Sequence, residues 1–325
     1  MSEKNAWKKD WLKVVEETAR DIKALRIQGA SAIRKQAIEA LRISVELSRA
    51  KNVEQLRKEL KQSILMLATA RPTEPETRAA LRTILEASKK ELPIEALKSS
   101  IIKACEDYQK DREKAMKKIA ILGLKELKKC RTIFTHCHSH TVEDILKLLH
   151  KKGKLEHVIC TETRPRFQGR ITASNLTREG IKCTMIVDGA ARTFIKDADA
   201  FLTGCDAILA DGSIVNKIGT SLISLAAKQA SVPHYVASSA LSFDPETYYK
   251  KEESIEERAA SEVWEKKLKN LEIRNPAFDI TEAKLVKAII CEKGIFSPKS
   301  FVSFMVRELE LKKKPYVPLM DLLKK

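Results

Sequence analysis

Residues 131–150 read RTIFTHCHSHTVEDILKLLH, and the periodicity changes in the middle of them. Residues 132–136, TIFTH, form a short apolar run of strand type. From Val142 to Lys151 the pattern is helical. The joint between the two packs His136, Cys137, His138 and His140 into five positions. A strand passing at once into a helix opens a βαβ unit. The same alternation continues downstream. Apolar runs recur as HVICTE (157–162), CTMIVD (183–188), AFLTG (200–204), AILAD (207–211) and HYVAS (234–238), with helical stretches such as 217–230 between several of them. Strands apolar on both faces and separated by helices predict a Rossmann-like parallel α/β domain over 129–325. AKLVKAIICE and PKSFVSFMVREL, nearer the C-terminus, both read as helical.

Upstream of Cys130 the chain has helical spacing throughout. Ile33, Ala37, Ala40, Leu41, Val45 and Ser48 recur three and four apart, and VEQLRKELKQSILMLATA repeats the pattern. ARPTEPET (70–77) and ELPIEAL (91–97) punctuate it, because proline ends a helix at the residue before it. Residues 1–128 therefore read as an α-helical domain. Trp7 and Trp11, four apart, share a helix face suited to packing.

Ligands of parallel sheets bind beyond the C-terminal ends of the strands. Cys137 falls there, ahead of a helix expected to begin near Ser139 or Thr141. Amide donors and the partial positive charge of a helix N-terminus favour a thiolate at such a place. A packed, inert thiol is the competing reading. The three histidines lack a second cluster of carboxylates or thiolates, so no metal site is expected.

Totals narrow the function further. The 325 residues are 43% hydrophobic and 32% charged, enough to bury a core. No run reaches the length of a membrane span, and the charged N-terminus is no secretory signal, so a cytoplasmic protein is expected. Seven scattered cysteines without a CxxC pair argue against a disulfide framework or a thiolate zinc site. A formal charge of +17 invites nucleic acid, but the cations are dispersed and aromatics are only 5%, which argues against a dedicated nucleic-acid function.

An ordered set of motifs carries a resemblance from about Arg26 to the C-terminus. They are ARPTEPET, THCHS (135–139), TETRPRFQG (161–169), VDGAAR (187–192), GCDAILADGSIVNKIGTS (204–221), IEER (255–258), RNPAFDIT (274–281) and EKGIFSP (292–298). The chain resembles the superfamily that joins ribose-1,5-bisphosphate isomerase, methylthioribose-1-phosphate isomerase and the alpha, beta and delta subunits of translation initiation factor 2B, with the archaeal ribose-1,5-bisphosphate isomerases nearest. The resemblance implies a cofactor-independent aldose–ketose isomerase of a phosphorylated pentose, converting ribose 1,5-bisphosphate to ribulose 1,5-bisphosphate. It assigns the proton chemistry to Cys137 and Asp206. It places Gln28, Gly29, Ala30, Arg71, Ser139, His140, Asn216, Lys217 and Ser242 at substrate, with Arg164 and Arg170 as further cations. It also implies AMP as an activator and a homo-oligomer built on dimers, as in the hexameric archaeal relatives.

The sequence departs from that pattern at the phosphate cradle. Gln28 stands where an arginine is usual, His140 and Ser242 where lysines are usual, and Asp211 where asparagine is usual. Each charge-assisted phosphate bond lost costs about 1.5–3 kcal/mol. The alternative is therefore a non-catalytic regulatory subunit that binds a sugar phosphate or nucleotide and contacts initiation factor 2. Arg71 could equally tie down its own loop, Asp206 could cap a turn, and Arg164, Arg166 and Arg170 could form a solvated loop or a subunit contact.

Overall fold

The computed structural model describes residues 10–24, 26–27, 29–71, 74–249 and 255–324. Trp7, Gln28 and the Pro72–Thr73 pair of ARPTEPET lie outside them. The chain divides into two compact units, 1–114 with 316–325, and 115–315.

The first unit is helical: α1 (Asp10–Lys23), α2 (Ala30–Leu47), α3 (Val53–Ala70), α4 (Pro75–Ala87) and the first part of α5 (Ile94–Leu127). Local chemistry starts the helices. Asn52 caps α3 by accepting from the Gln55 amide, and Pro75 opens α4, where no amide partner is needed. The apolar stripes read from the sequence are buried together, with Ile33, Ala37 and Leu41 of α2 against Leu56, Leu60 and Ile64 of α3 and Leu81 and Ile84 of α4. Trp11 is buried on α1. Two ion pairs are buried in this core, Arg34–Glu76 at 2.9 Å and Arg71–Glu74 at 3.3 Å.

The second unit supplies β1 (Thr132–Thr135), α6 (His140–Lys151), β2 (His157–Thr161), α7 (Gln168–Arg178), β3 (Cys183–Ile186), α8 (Ala191–Phe194) and β4 (Ala200–Thr203). It continues with β5 (Ala207–Ile208), β6 (Ile214–Lys217), α9 (Thr220–Gln229), β7 (His234–Ala237) and β8 (Phe278–Thr281). Last come β9 (Ala288–Cys291), β10 (Gly294–Phe296) and α10 (Pro298–Glu308). The chain returns to the helical unit in α11 (Leu319–Lys324), where Leu319 joins the core.

The main sheet has the order β10-β9-β7-β4-β1-β2-β3 and is parallel apart from β10. Strand residues alternate between two cores, as period two requires. Ile133, Val158, Cys160, Ala200 and Leu202 pack under α6 and α7, while Phe134, Ile159 and Phe201 pack under α8 and α9. From β1 the chain winds one way to β2 and β3. From β4 it winds the other way to β7 and β9. The reversal lies between adjacent β1 and β4, and a ligand crevice opens at such a switch point.

The parallel α/β reading holds, with three local corrections. AILAD contributes only β5, and β5, β6 and β8 form a separate antiparallel sheet. The helix read from 217 starts at Thr220, because Lys217 ends β6 and Gly219 turns the chain at φ 101°. AKLVKAIICE is not a helix: Ala288–Cys291 is strand β9, buried at all four positions between neighbouring strands. A short apolar run fits helix and buried strand equally, and pairing decides between them. HVICTE supplies β2 from its first residue, His157, whose ring bonds to Thr184.

Candidate functional site

The loops at the switch point carry the chemistry-bearing residues of the α/β unit. Ser139 caps α6, accepting from the Val142 amide, and His140 is the first helical residue. Cys137 sits half-buried two residues ahead of the cap, in the left-handed region at φ 69°. That conformation is uncommon without glycine. Hydrogen bonds hold both its peptide groups. Its N–H donates to Thr163 Oγ1 at 3.0 Å, and its carbonyl accepts from Thr172 Oγ1 at 3.0 Å.

The segment after β4 closes on the same loop. A Cβ on Gly204 would stand 2.8 Å from Ser139 Oγ and 3.1 Å from its Cβ, so a larger residue would have to displace the Ser139 side chain. Two residues on, half-buried Asp206 donates its amide to the Val215 carbonyl, which fixes it at the root of the small sheet. Cys137 and Asp206 thus follow adjacent strands at the switch point, on loops packed together.

Around them, the polar residues partner one another. His136 is buried, with Nδ1 2.6 Å from Thr161 Oγ1 and Nε2 2.9 Å from the Ile218 carbonyl. Burial pushes its pKa down to about 4, so the ring is neutral near pH 7. His138 Nδ1 lies 3.0 Å from Glu143 Oε1, and its ring meets His140 edge-on at 4.7 Å. Burial works to raise the Glu143 pKa, but His138, Asn175 and Lys147 outweigh it and leave the carboxyl below its usual value. No group of His, Cys, Asp and Glu among the described residues could hold a metal ion.

The remaining predicted residues are placed as follows. Asn216 is buried and donates to Thr220 Oγ1 at 3.0 Å. Lys217 stands over the Phe278 ring at 4.8 Å. Ser242 is fully buried and shares a 2.8 Å hydrogen bond with Ser238. Asp211 caps its own turn through the Ser213 amide and hydroxyl. Arg164 donates to the Val263 carbonyl, Arg166 pairs with Glu262, and Arg170 pairs with Glu162 over the Phe167 ring. These three arginines are held within the chain. In the helical unit, Gly29 is the N-cap of α2 at φ 83° with no side-chain cap, Ala30 is its first residue, and Arg71 pairs with Glu74.

The first turn of α9, where free amides would suit an anion, is already taken. The amides of Gly219 and Ser221 at the start of α9 both bond the carboxylate of Asp279, at 2.8 and 3.1 Å. Burial raises the Asp279 pKa to about 6, against the pull of those amides. Asp279, like Thr161, Thr163, Thr172 and Asp188, was not singled out from the sequence. Four of the five lie in quoted motifs, but a threonine or aspartate beside a strand end carries no mark of its partner.

Comparison with known proteins extends this picture. Residues 26–298 match the family described as the initiation factor 2 subunit family. The ribose 1,5-bisphosphate isomerase of Pyrococcus furiosus is 38% identical over 301 residues, covering 90% of this chain and 93% of that protein. The crystal structure of the 5-methylthioribose 1-phosphate isomerase of Pyrococcus horikoshii superposes with a TM-score of 0.78 at 28% identity, covering 91% of this chain and 88% of that one. The translation initiation factor eIF-2B structure from the same organism gives 0.75 at 27% identity, covering 87% and 97%.

Proposed function

This chain belongs to the initiation factor 2 subunit family, and within it we propose that the protein is an aldose–ketose isomerase converting ribose 1,5-bisphosphate to ribulose 1,5-bisphosphate. The observation that carries the reading is the joining of the Cys137 loop and the Gly204–Asp206 segment at the switch point. Moving a carbonyl from C1 to C2 of an aldose requires a proton taken at one carbon and delivered at another. A phosphate on C1 also blocks spontaneous ring opening, so a group must assist cleavage of the C1–O bond. Cys137 and Asp206 are the pair assigned to these transfers. Each well-placed acid or base contributes ~10²–10⁴-fold, and side chains suffice without a cofactor. Lys217 and Ser139 line the same loops and are the nearest candidates for the phosphorylated sugar's oxygens, with His140 beside them. Gly29, Ala30 and Arg71 belong to the same proposal from the helical unit.

AMP as an activator, a dimer-based assembly and a place in the cytoplasm complete the proposal. Turnover with and without AMP tests the first, and solution mass tests the second. One observation favours the regulatory alternative. Ser242, where the isomerases carry a lysine, is buried against Ser238 and brings no cation. Product formation from ribose 1,5-bisphosphate separates the two readings. Wild-type turnover lost at least ~10²-fold in Cys137→Ser supports the enzyme. A folded wild type that makes no product supports the regulator.

A further inference from the structure

Thr163 is β-branched and fully buried, yet it lies in the left-handed region at φ 63°. For such a residue this is a true outlier, and strain of this kind persists only where the surroundings impose it. Here they do. Asp188, just past β3, accepts the Thr163 amide on one carboxylate oxygen at 2.8 Å and the Arg164 amide on the other at 2.6 Å. The Thr163 carbonyl accepts from the Phe167 amide at 2.7 Å.

What the strain achieves follows from proton directions. The Ile218 carbonyl can only accept, so His136 carries its proton on Nε2 and accepts at Nδ1. Thr161 must therefore donate its single hydroxyl proton to Nδ1. The contact of 3.4 Å between Thr161 Oγ1 and Thr163 Oγ1 is then filled by the Thr163 proton. That leaves Thr163 Oγ1 as the acceptor for the Cys137 amide. Every donor points the same way, from Cys137 through Thr163, Thr161 and His136 to Ile218, the residue after Lys217. The neutral state of His136 agrees with its depressed pKa of about 4.

We propose that Thr163, clamped by Asp188, is a positioning residue that sets the Cys137 backbone, and hence the aim of its thiol, in register with the Lys217–Gly219 loop. The assignment rests on Cys137 being the proton-transferring thiol of the proposed isomerase. Thr163→Val keeps the shape and removes the acceptor. Thr163→Ser keeps the acceptor.

The experiment measures two things on the full-length protein: kcat and KM for ribose 1,5-bisphosphate, and the pH dependence of Cys137 alkylation by iodoacetamide, read by peptide mass spectrometry. In Thr163→Val, kcat should fall ~10–100-fold while KM stays within about threefold. Its Cys137 alkylation profile should shift away from wild type. Thr163→Ser should stay near wild type on both readouts. A folded Thr163→Val with wild-type kcat and alkylation profile overturns the proposal. If that variant does not fold, Asp188→Asn takes its place, with the same two shifts expected and the same unchanged result overturning it. A wild type that makes no ribulose 1,5-bisphosphate removes the isomerase reading alone, because the alkylation profile still decides the role of Thr163.

Discussion

Gly169 shows how much one hydrogen in place of a methyl can matter. A Cβ there would lie 1.8 Å from the Thr161 carbonyl oxygen, so α7 meets β2 with no room between them. Gly169→Ala must push the helix off the strand end that carries Thr161 and Thr163. Overpacking of this kind costs about 1–3 kcal/mol or more, and urea unfolding should show a loss of that size. Two buried histidines make a second prediction at this scale. Burial lowers the pKa of His136 to about 4 and of His234, held between Thr203 and Ser224, to about 3. From pH 6.5 downward the unfolded chain takes up protons that the folded rings refuse, so stability falls as pH drops. Asp279, raised to about 6, works in the opposite direction below that pH, but it is one group against two. The urea midpoint should therefore fall between pH 7 and 4, by several kcal/mol in stability. A flat profile would contradict the neutral assignment of both rings.

At the scale of elements, the start of α9 is the informative case. The free amides of a helix N-terminus suit an anion, and here the tertiary structure brings the Asp279 carboxylate from β8 to that turn. The carboxylate joins the small antiparallel sheet to the helix and fixes the bend after Lys217. Asp279→Ala should cost about 0.5–2 kcal/mol, the range for losing a helix cap, and thermal melting can register it. The misread β9 belongs to the same scale. Its four residues are apolar at every position, so no period distinguishes them, and only the vacancy between β7 and β10 makes them a strand. By contrast, α6 was legible to within a residue or two, expected to start near Ser139 or Thr141 and to end at Lys151, and it runs His140–Lys151. Its apolar stripe and its length are local properties, and the structure adds Ser139 as the N-cap.

For the molecule as a whole, charge and ligand make separable predictions. No described helix is long and apolar enough to cross a membrane. A net charge of +17 attracts polynucleotides, and such binding should vanish as salt is raised to about 200 mM. A sugar bisphosphate bound in a built pocket should instead persist. At a hundred times its Kd it should stabilise the fold by about 2.7 kcal/mol, visible as a rise in melting temperature.

The sequence by itself determined the helical N-terminal region, the parallel sheet that follows it and the place of Cys137 between strand and helix. These follow from periodicity and from the few residues flanking each element. It also carried the motifs that tie the chain to its family. Tertiary structure alone decided which strands are neighbours, and so that Cys137 and Asp206 follow adjacent strands. It decided that Asp279 fills the α9 N-terminus, that Ser242 is buried, and that Thr163 grips Cys137. The Asp279 and Thr163 contacts, and the neighbouring of Cys137 and Asp206, join residues far apart in the chain. Their geometry depends on how sheets and helices pack, and no local pattern of residues encodes it.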